Sequence, residues 1–363
     1  MARFENNVMG LIPKEEWLDI PFQVNNPAAN PVDELFGDVK TENLIAYWES
    51  IAAEYQVPLM AQFHGFDTEA QKTFRIPVDS HNIEKGLIKV KLDQSERMRA
   101  LTRAGVQNDD LYDYVINDGI RLAEQVITRT KVAKNELMAS GQVTIRENNL
   151  DLKVDYGVPD DQKGLTVDFG VGASAHVDEQ LENLVQTARE KGQTINGMMI
   201  SRAGLNKFRK NAAIQKAING TNMQGVLVSN ADLKAYLLDE YQIANVIIND
   251  ATYGVPDGID SVTKRPKVKI ERYFPVDGIT FFAAPNGGVK LGDGLWGDPP
   301  EADAGVEINN DTSTSTQSPY VYISQWSEHD PTVLWTKAST LFMPVLYVPN
   351  SLFIAKAIET TGT

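Results

Sequence analysis

Residues 108–155 read NDDLYDYVINDGIRLAEQVITRTKVAKNELMASGQVTIRENNLDLKVD, and this stretch decides the fold. Its first part is helical by period. Leu111, Val115, Leu122, Val126, Ala133 and Leu137 recur at threes, fours and sevens, which draws one apolar stripe. Asn108 is the expected N-cap, and Asp109, Asp110 and Asp113 place negative charge where the helix dipole favours it. The helix is expected to reach residue 139, with Gly141 as its stop. About thirty residues at ~1.5 Å each make a rod of roughly 45 Å. Past Gly141 the period changes. Val143, Ile145, Leu150, Leu152 and Val154 alternate with polar residues around Glu147-Asn148-Asn149, which predicts two strands and a turn. A long rod with a sheet beside it is a scaffold for contacts rather than the wall of a pocket.

Composition sets the outer bounds. A chain of 363 residues has room for two or three domains, and 42% hydrophobic content is enough for ordered cores. No apolar run approaches the ~20 residues of a membrane span, and MARFENNVMG lacks a signal-peptide core, so a soluble protein made in a cytoplasm is expected. With no cysteine, disulfides, thiolate metal sites and cysteine nucleophiles are excluded together. The formal charge of −15 disfavours specific DNA or RNA binding, which needs clustered Lys and Arg.

Upstream of the rod, Pro13, Pro21, Pro27 and Pro31 break any long element, so residues 1–55 read as an irregular N-terminal arm. Thr41 with Leu44, Ile45, Trp48 and Ile51 predicts a helix at its end. An arm too broken to form a core must lie on something else. Trp17 and Trp48, both in that arm, are therefore expected to bury against neighbouring subunits. Residues 56–104 hold a probable long hairpin, VPLMAQFHGF and KTFRIPVD about a turn at Asp67-Thr68-Glu69-Ala70. A lone two-stranded ribbon is marginal in water, so this one is expected to project onto a partner. Arg97, Arg99 and Arg103 are either a solvated helical face or cations for an acidic partner surface.

Downstream, residues 156–175 read as a loop-rich connector. Residues 176–320 alternate strand and helix, which argues for α/β layers. Helices are expected at 177–191, 204–218 and 231–241, and strands at NGMMISR, VLVS, NVIIND, KVKIERYFP, GITFFAAP and GGVKLGDGLWG. Residues 298–319 read as a surface loop, and 321–363 return to β pattern, with Pro331, Pro344 and Pro349 held to edges and turns.

Candidate chemistry is sparse. His64, His81, His176 and His329 form no HExxH and no pair at helical spacing. FGVGAS lacks the ending of a phosphate loop and reads as a plain turn, and GxSxG is absent. Asp293, Asp298, Glu301 and Asp303 around GDGLWGD are the best candidates for a hard cation, but their spacing departs from the calcium loop and a solvated acidic loop is the better reading. No catalytic residue, metal site or cofactor is expected.

GQVTIRENNLDLKVDYGVP, following a long amphipathic helix, resembles the major capsid proteins of tailed bacteriophages in their lambda-type E branch. The resemblance implies an α+β Hong Kong 97-like capsid fold. Its parts are an N-terminal arm (1–55), an extended β-hairpin loop (56–104), a peripheral domain with a spine helix (105–175), an α/β axial domain (176–320) and a C-terminal return to the peripheral domain (321–363). It implies a non-enzymatic head protein that self-assembles as pentamers and hexamers into an icosahedral shell around double-stranded DNA. That DNA would be contacted non-specifically, and an acidic wall suits it. Assembly is expected in the host cytoplasm, giving the virion capsid, with a separate scaffolding protein, a portal and a decoration protein as partners. Interface residues implied by the arm and loop are Trp17, Phe22, Trp48, Phe63, Phe66, Phe74, Arg75, Arg97, Arg99 and Arg103. An encapsulin-like nanocompartment shares the fold. A soluble acidic enzyme or a carbohydrate-binding tail module is the rival of another class and needs a concave site.

The arm reading carries a direct test. Trp17→Ala is expected to impair particle formation, read by negative-stain microscopy, while leaving the monomer's circular dichroism unchanged; normal particles would remove Trp17 from any interface.

Overall fold

A computed structural model describes residues 30–50, 60, 61, 75, 77–94, 108–147, 150–170, 176–220, 226–261, 263, 265–285, 288–302, 314–317, 320–329 and 332–360. The described chain opens with a single turn, Pro31–Glu34, capped by Asn30, whose side chain accepts from the Val32 amide at 3.1 Å. Strands β1 (Phe36–Lys40) and β2 (Ile45–Ser50) follow, then β3 (Asp79–Glu84) and β4 (Gly86–Gln94). Next comes α1 (Asn108–Ser140), a rod of 33 residues, about 50 Å long at the standard rise. Gly141 ends it in the left-handed region at φ 70°, donating back to the Leu137 carbonyl at 2.8 Å. Strands β5 (Gln142–Glu147) and β6 (Leu150–Asp155) pair antiparallel with Glu147 opposite Leu150, the pair of strands expected from the sequence. The cap expected of Asn108, and the stripe positions Leu111 and Val115, have side chains outside the described residues.

After β7 (Leu165–Asp168) come α2 (Val177–Glu190), β8 (Gly197–Ile200), α3 (Arg202–Lys210), α4 (Ala212–Asn219) and α5 (Asn230–Tyr241). The chain continues through β9 (Asn245–Ile248), β10 (Thr252–Ile259), β11 (Pro266–Arg272), β12 (Gly278–Phe282) and β13 (Gly292–Gly297). It finishes with β14 (Thr314–Gln317), β15 (Tyr322–His329), β16 (Thr332–Leu346) and β17 (Leu352–Ile358). One sheet runs β1-β13-β16-β15-β14, with β4 added to the other side of β16; a second runs β7-β17-β12-β8-β9.

Two apolar cores follow from these sheets. The first lies between α1 and the sheet around β16, where Leu122, Val126, Ala133 and Leu137 bury their stripe against residues such as Ile323, Phe342 and Met343. The second sits under α2 to α5, where Leu181, Val185, Leu205, Phe208, Leu233 and Leu237 meet Phe281 and Phe353. The C-terminal end of α1 touches both sheets: Thr280 of β12 donates its hydroxyl to the Met138 carbonyl at 2.8 Å.

Four expectations are corrected. The helix placed on 41–51 is instead strand β2, because its burial alternates: Ala46, Trp48 and Ser50 point in while Ile45, Tyr47 and Glu49 point out. Leu44, Ile45 and Trp48 fit both periods over so short a stretch, and pairing with β3 decides for the strand. The single helix at 204–218 is two, since Asn211 terminates α3 and caps α4 by accepting from the Ala213 and Ile214 amides. VLVS is extended chain without a ladder, leading into the Ser229 cap of α5. The connector at 156–175 contributes β7, parallel to β17. Pro344 does lie inside β16, yet past the end of β4, so the strand has one neighbour there, β13. The Pro344 carbonyl accepts from the Tyr156 hydroxyl at 2.7 Å.

A Cβ at Gly141 would also lie 2.9 Å from a methyl of Val158. Gly141→Ala is therefore expected to destabilise the subunit by at least about 1 kcal/mol, seen as a lowered urea midpoint at unchanged slope. An unchanged midpoint would mean that the rod's end does not depend on this turn.

Candidate assembly surfaces

What positions the limbs is a buried polar clasp on α1. Lys134 is almost fully buried and reaches Asp38 at 2.9 Å, Asp33 at 3.4 Å and the Phe36 carbonyl at 3.3 Å. Lys131, one turn earlier, pairs with the other oxygen of Asp33 at 3.4 Å. The Trp296 indole donates to the same Asp38 oxygen at 2.8 Å, and Asn249 at the end of β9 donates to Asn135 at 2.6 Å. Buried ammonium groups are tolerable only with such partners. The clasp explains GDGLWG as well: a Cβ at Gly294 would come within 3.0 Å of the Lys134 side chain and of Asp38. The motif is strand β13 with room left for a lysine to pass.

The acidic residues once weighed for a cation are dispersed among lysines. Asp293 pairs with Lys290 at 2.6 Å, Asp298 with Lys40 at 2.8 Å and Glu301 with Lys337. Asp303 lies outside the described residues. Among the described residues no three metal-ligating side chains converge.

The clasp also corrects the arm. Residues 30–36 pack into the subunit's own core, with Val32, Leu35 and Phe36 fully buried, and β1 pairs parallel to β13. Trp48 is 7% exposed, stacked on His81 at 5.1 Å and against Tyr156 at 5.9 Å, so it is an internal residue and not an interface one. A tryptophan on a strand in a broken segment gives no sign of which body covers it. Lys85, between β3 and β4, seals the same corner by donating to Thr41 Oγ1 and the Asn43 carbonyl, both at 2.6 Å. Burial lowers its pKa, with Asp298 opposing.

Strands β2 and β3 form a separate two-stranded sheet with Ile45 and Tyr47 open on one side, opposite Glu84 and Asn82. Residues 51–78 run between them. The strands expected there fall largely outside the described residues, as do Trp17, Phe22, Phe63, Phe66, Phe74, Arg97, Arg99 and Arg103; Arg75 is exposed.

A second ribbon, β10 with β11, was only half visible in the sequence: its returning strand was expected, its outgoing one was not. Gly254 opposes Ile270 and Pro256 opposes Val268, while Tyr253 opposes Glu271 and Val255 opposes Lys269. Opposite residues share a face, so one face is apolar and the other polar. The polar face is anchored. The Tyr253 hydroxyl donates to Glu271 at 3.0 Å and its ring packs on Tyr273 at 4.8 Å; at the root of the other face Arg272 pairs with Asp250, as does Arg202. Partial burial and the Glu271 carboxylate push the Tyr253 hydroxyl up to about 12. The apolar face is bare: Val268 is 64% and Ile270 74% exposed. The missed signal is the alternation in TYGVPDGI, hidden by two glycines and a proline.

Exposed two-stranded ribbons on a rod-and-sheet body define a subunit built for contacts with other molecules, as in shells of the Hong Kong 97-like fold. The family model described as phage major capsid protein E matches residues 89–357, and the chain belongs to that family. Among solved structures, a prophage capsid protein of E. coli CFT073 aligns with TM-score 0.54 at 11% identity, covering 95% of this chain and 99% of its own. A phage-related protein of Bordetella bronchiseptica RB50 aligns with TM-score 0.51 at 9% identity, covering 94% and 96%. Both show a shared fold. No curated protein sequence matches the chain. The protein is a structural component of a phage capsid that assembles into a multimeric shell; it is not an enzyme.

Lys134→Met would leave Asp38 without its ammonium partner, held by the Trp296 indole, and Asp33 with Lys131 as its one buried lysine. Because both carboxylates reach solvent, the expected loss is about 2–3 kcal/mol, below the roughly 3–5 kcal/mol of fully enclosed pairs. Chemical denaturation measures it. A loss under about 0.5 kcal/mol, the level of an ordinary surface change, would show that the clasp does not hold the arm.

Proposed function

We propose that this subunit forms pentamers and hexamers of an icosahedral phage head that encloses double-stranded DNA. The observation that carries the reading is the β10/β11 ribbon, whose apolar face is open on a chain of a capsid family; β2/β3 is a second two-stranded ribbon, whose open face carries Ile45 and Tyr47 among polar residues. Ribbons of this kind are marginal alone and gain stability from a covering surface. Many modest contacts then multiply over a closed lattice through effective concentration. The charge of −15 suits a wall that holds DNA without binding it tightly.

In this reading residues 1–55, 56–104, 105–175, 176–320 and 321–363 serve as arm, extended loop, peripheral domain, axial domain and C-terminal return. Strands β15 and β16 of the return share a sheet with β1, β4 and β13, whereas β17 joins the second sheet. Trp17, Phe22, Phe63, Phe66, Phe74, Arg75, Arg97, Arg99 and Arg103 are the proposed contacts of arm and loop. A scaffolding protein, a portal and a decoration protein are the proposed partners, and the host cytoplasm the proposed place of assembly; membership in a tailed-phage family supports them.

Expression in a bacterial cytoplasm followed by size-exclusion chromatography and negative-stain microscopy is the test. Closed shells tens of nanometres across, with fivefold vertices in averaged images, are expected. Compact dimers or monomers at all concentrations would refute it.

A further inference from the structure

The geometry points to a specific heterologous contact: the apolar face of the β10/β11 ribbon of one subunit seats on the outward face of α5 of a second copy. This rests on the shell reading above and names the surfaces that meet.

On the donor side, the ribbon offers Gly254, Pro256, Val268 and Ile270 on one open face, with Ile259, 71% exposed, beyond the bulge. Its edges are unfit for strand addition. Pro256 removes a ladder donor from β10, Pro266 opens β11, and the register shifts between Pro256 and Ile259. The ribbon therefore engages by its face. It is held stiffly at the root, where Tyr273 donates its amide to the Ala251 carbonyl at 3.1 Å and its ring carries Tyr253. Little ordering is left to oppose docking.

The acceptor is on the same chain. Helix α5 buries Leu233, Leu237 and Tyr241, and its outward side carries an apolar strip between Lys234 and the carboxylates Asp232 and Asp239. Ala231, Ala235 and Leu238 follow one another at four and three residues, all exposed, with Leu238 at 52%. Val226 and Leu227, each about half exposed, lead into the same end of the helix. Small residues flanking one leucine make a shallow strip onto which a flat ribbon fits.

Charge favours the same pairing. Within 252–272 there are five cations, Lys264, Arg265, Lys267, Lys269 and Arg272, against three carboxylates, in a chain of net −15. Helix α5 carries Asp232, Asp239 and Glu240 against Lys234 alone. Lys267, Lys269 and Arg272 already pair with Asp260, Glu271 and Asp250, and the two lysines lie on the ribbon's polar face. The pairing therefore acts through net charge at long range: a basic ribbon and an acidic helix attract in either subunit order, while ribbon on ribbon and helix on helix repel. Donor and acceptor patches differ, so the contact is head-to-tail and closes into a ring when the rotation between copies divides a full turn. One ribbon face falls short of the ~1,000 Å² of a lasting interface. Each copy in a ring nevertheless both gives and receives the contact, which makes it effective in a closed assembly and weak between isolated subunits.

The absence of cysteine makes a clean test possible. Val268→Cys and Leu238→Cys are made singly and combined in one chain, assembled, and oxidised mildly. The combined variant is expected to give a ladder of disulfide-linked multimers on non-reducing gels, and each single variant none. Assembled particles of the combined variant without that ladder, or equal ladders from a single variant, would overturn the contact. In parallel, Val268→Asp with Ile270→Asp is expected to lower particle yield at least tenfold at unchanged circular dichroism and thermal midpoint; wild-type yield would also overturn it. If the unaltered protein forms only small oligomers, the shell reading fails. A ladder within those oligomers still supports the ribbon contact, and its absence there refutes it.

Discussion

The burial of one face of α1 against the long strand β16 is the constraint on which the rest of the subunit depends. A helix of about nine turns has too much apolar surface to be stable alone, and only a broad sheet offers enough cover. β16 supplies it by running 15 residues and accepting β4 on one side and β13 and β15 on the other. The far end of the rod also touches the second sheet through Thr280 and Asn249, so a single helix sets how both sheets lie. Rigidity comes from that double attachment.

On this rod the polar clasp performs a different task. Lys131 and Lys134 face inward, where apolar residues would pack as well, and they hold Asp33 and Asp38 of the entering chain. Such pairs add little net stability compared with an apolar core. Their value lies in geometry: they fix where residues 30–40 leave the body, and hence where anything preceding them begins. The body is thus stiff, while the β10/β11 ribbon has a bare apolar face and the β2/β3 ribbon leaves Ile45 and Tyr47 open. That division suits a shell subunit, in which strain must pass through the body and adhesion must wait for a neighbour.

Much of this was legible in the chain. The rod, its Gly141 stop, the β5/β6 hairpin and the alternating helices and strands from 177 onward follow from period and punctuation, because those segments are long and locally consistent. Short segments failed where two periods fit equally, as at 44–48, or where one asparagine could end one helix and begin the next, as at Asn211. The arm was misread for a stronger reason. Nothing local distinguishes Val32, Leu35, Phe36 and Trp48 packing on their own subunit from packing on another copy, since the residues that cover them are distant in sequence, as His81 and Tyr156 are from Trp48. Likewise GDGLWG reads in the sequence as a solvated acidic loop, and only the path of Lys134 past Gly294 shows what its glycine is for. The β10/β11 ribbon hid because the glycines and prolines that blunt its edges also blur its alternation.

Hydrogen exchange followed by mass spectrometry on free subunits and on assembled shells tests most directly the division between a self-sufficient body and limbs completed by copies. Amides of α1 from residue 118 onward and of β16 are expected to be equally protected in both states. Those of 45–50, 79–84 and 252–272 are expected to exchange rapidly in the subunit and slow by at least tenfold in the shell. Ribbons already protected in the free subunit, or unchanged on assembly, would contradict it.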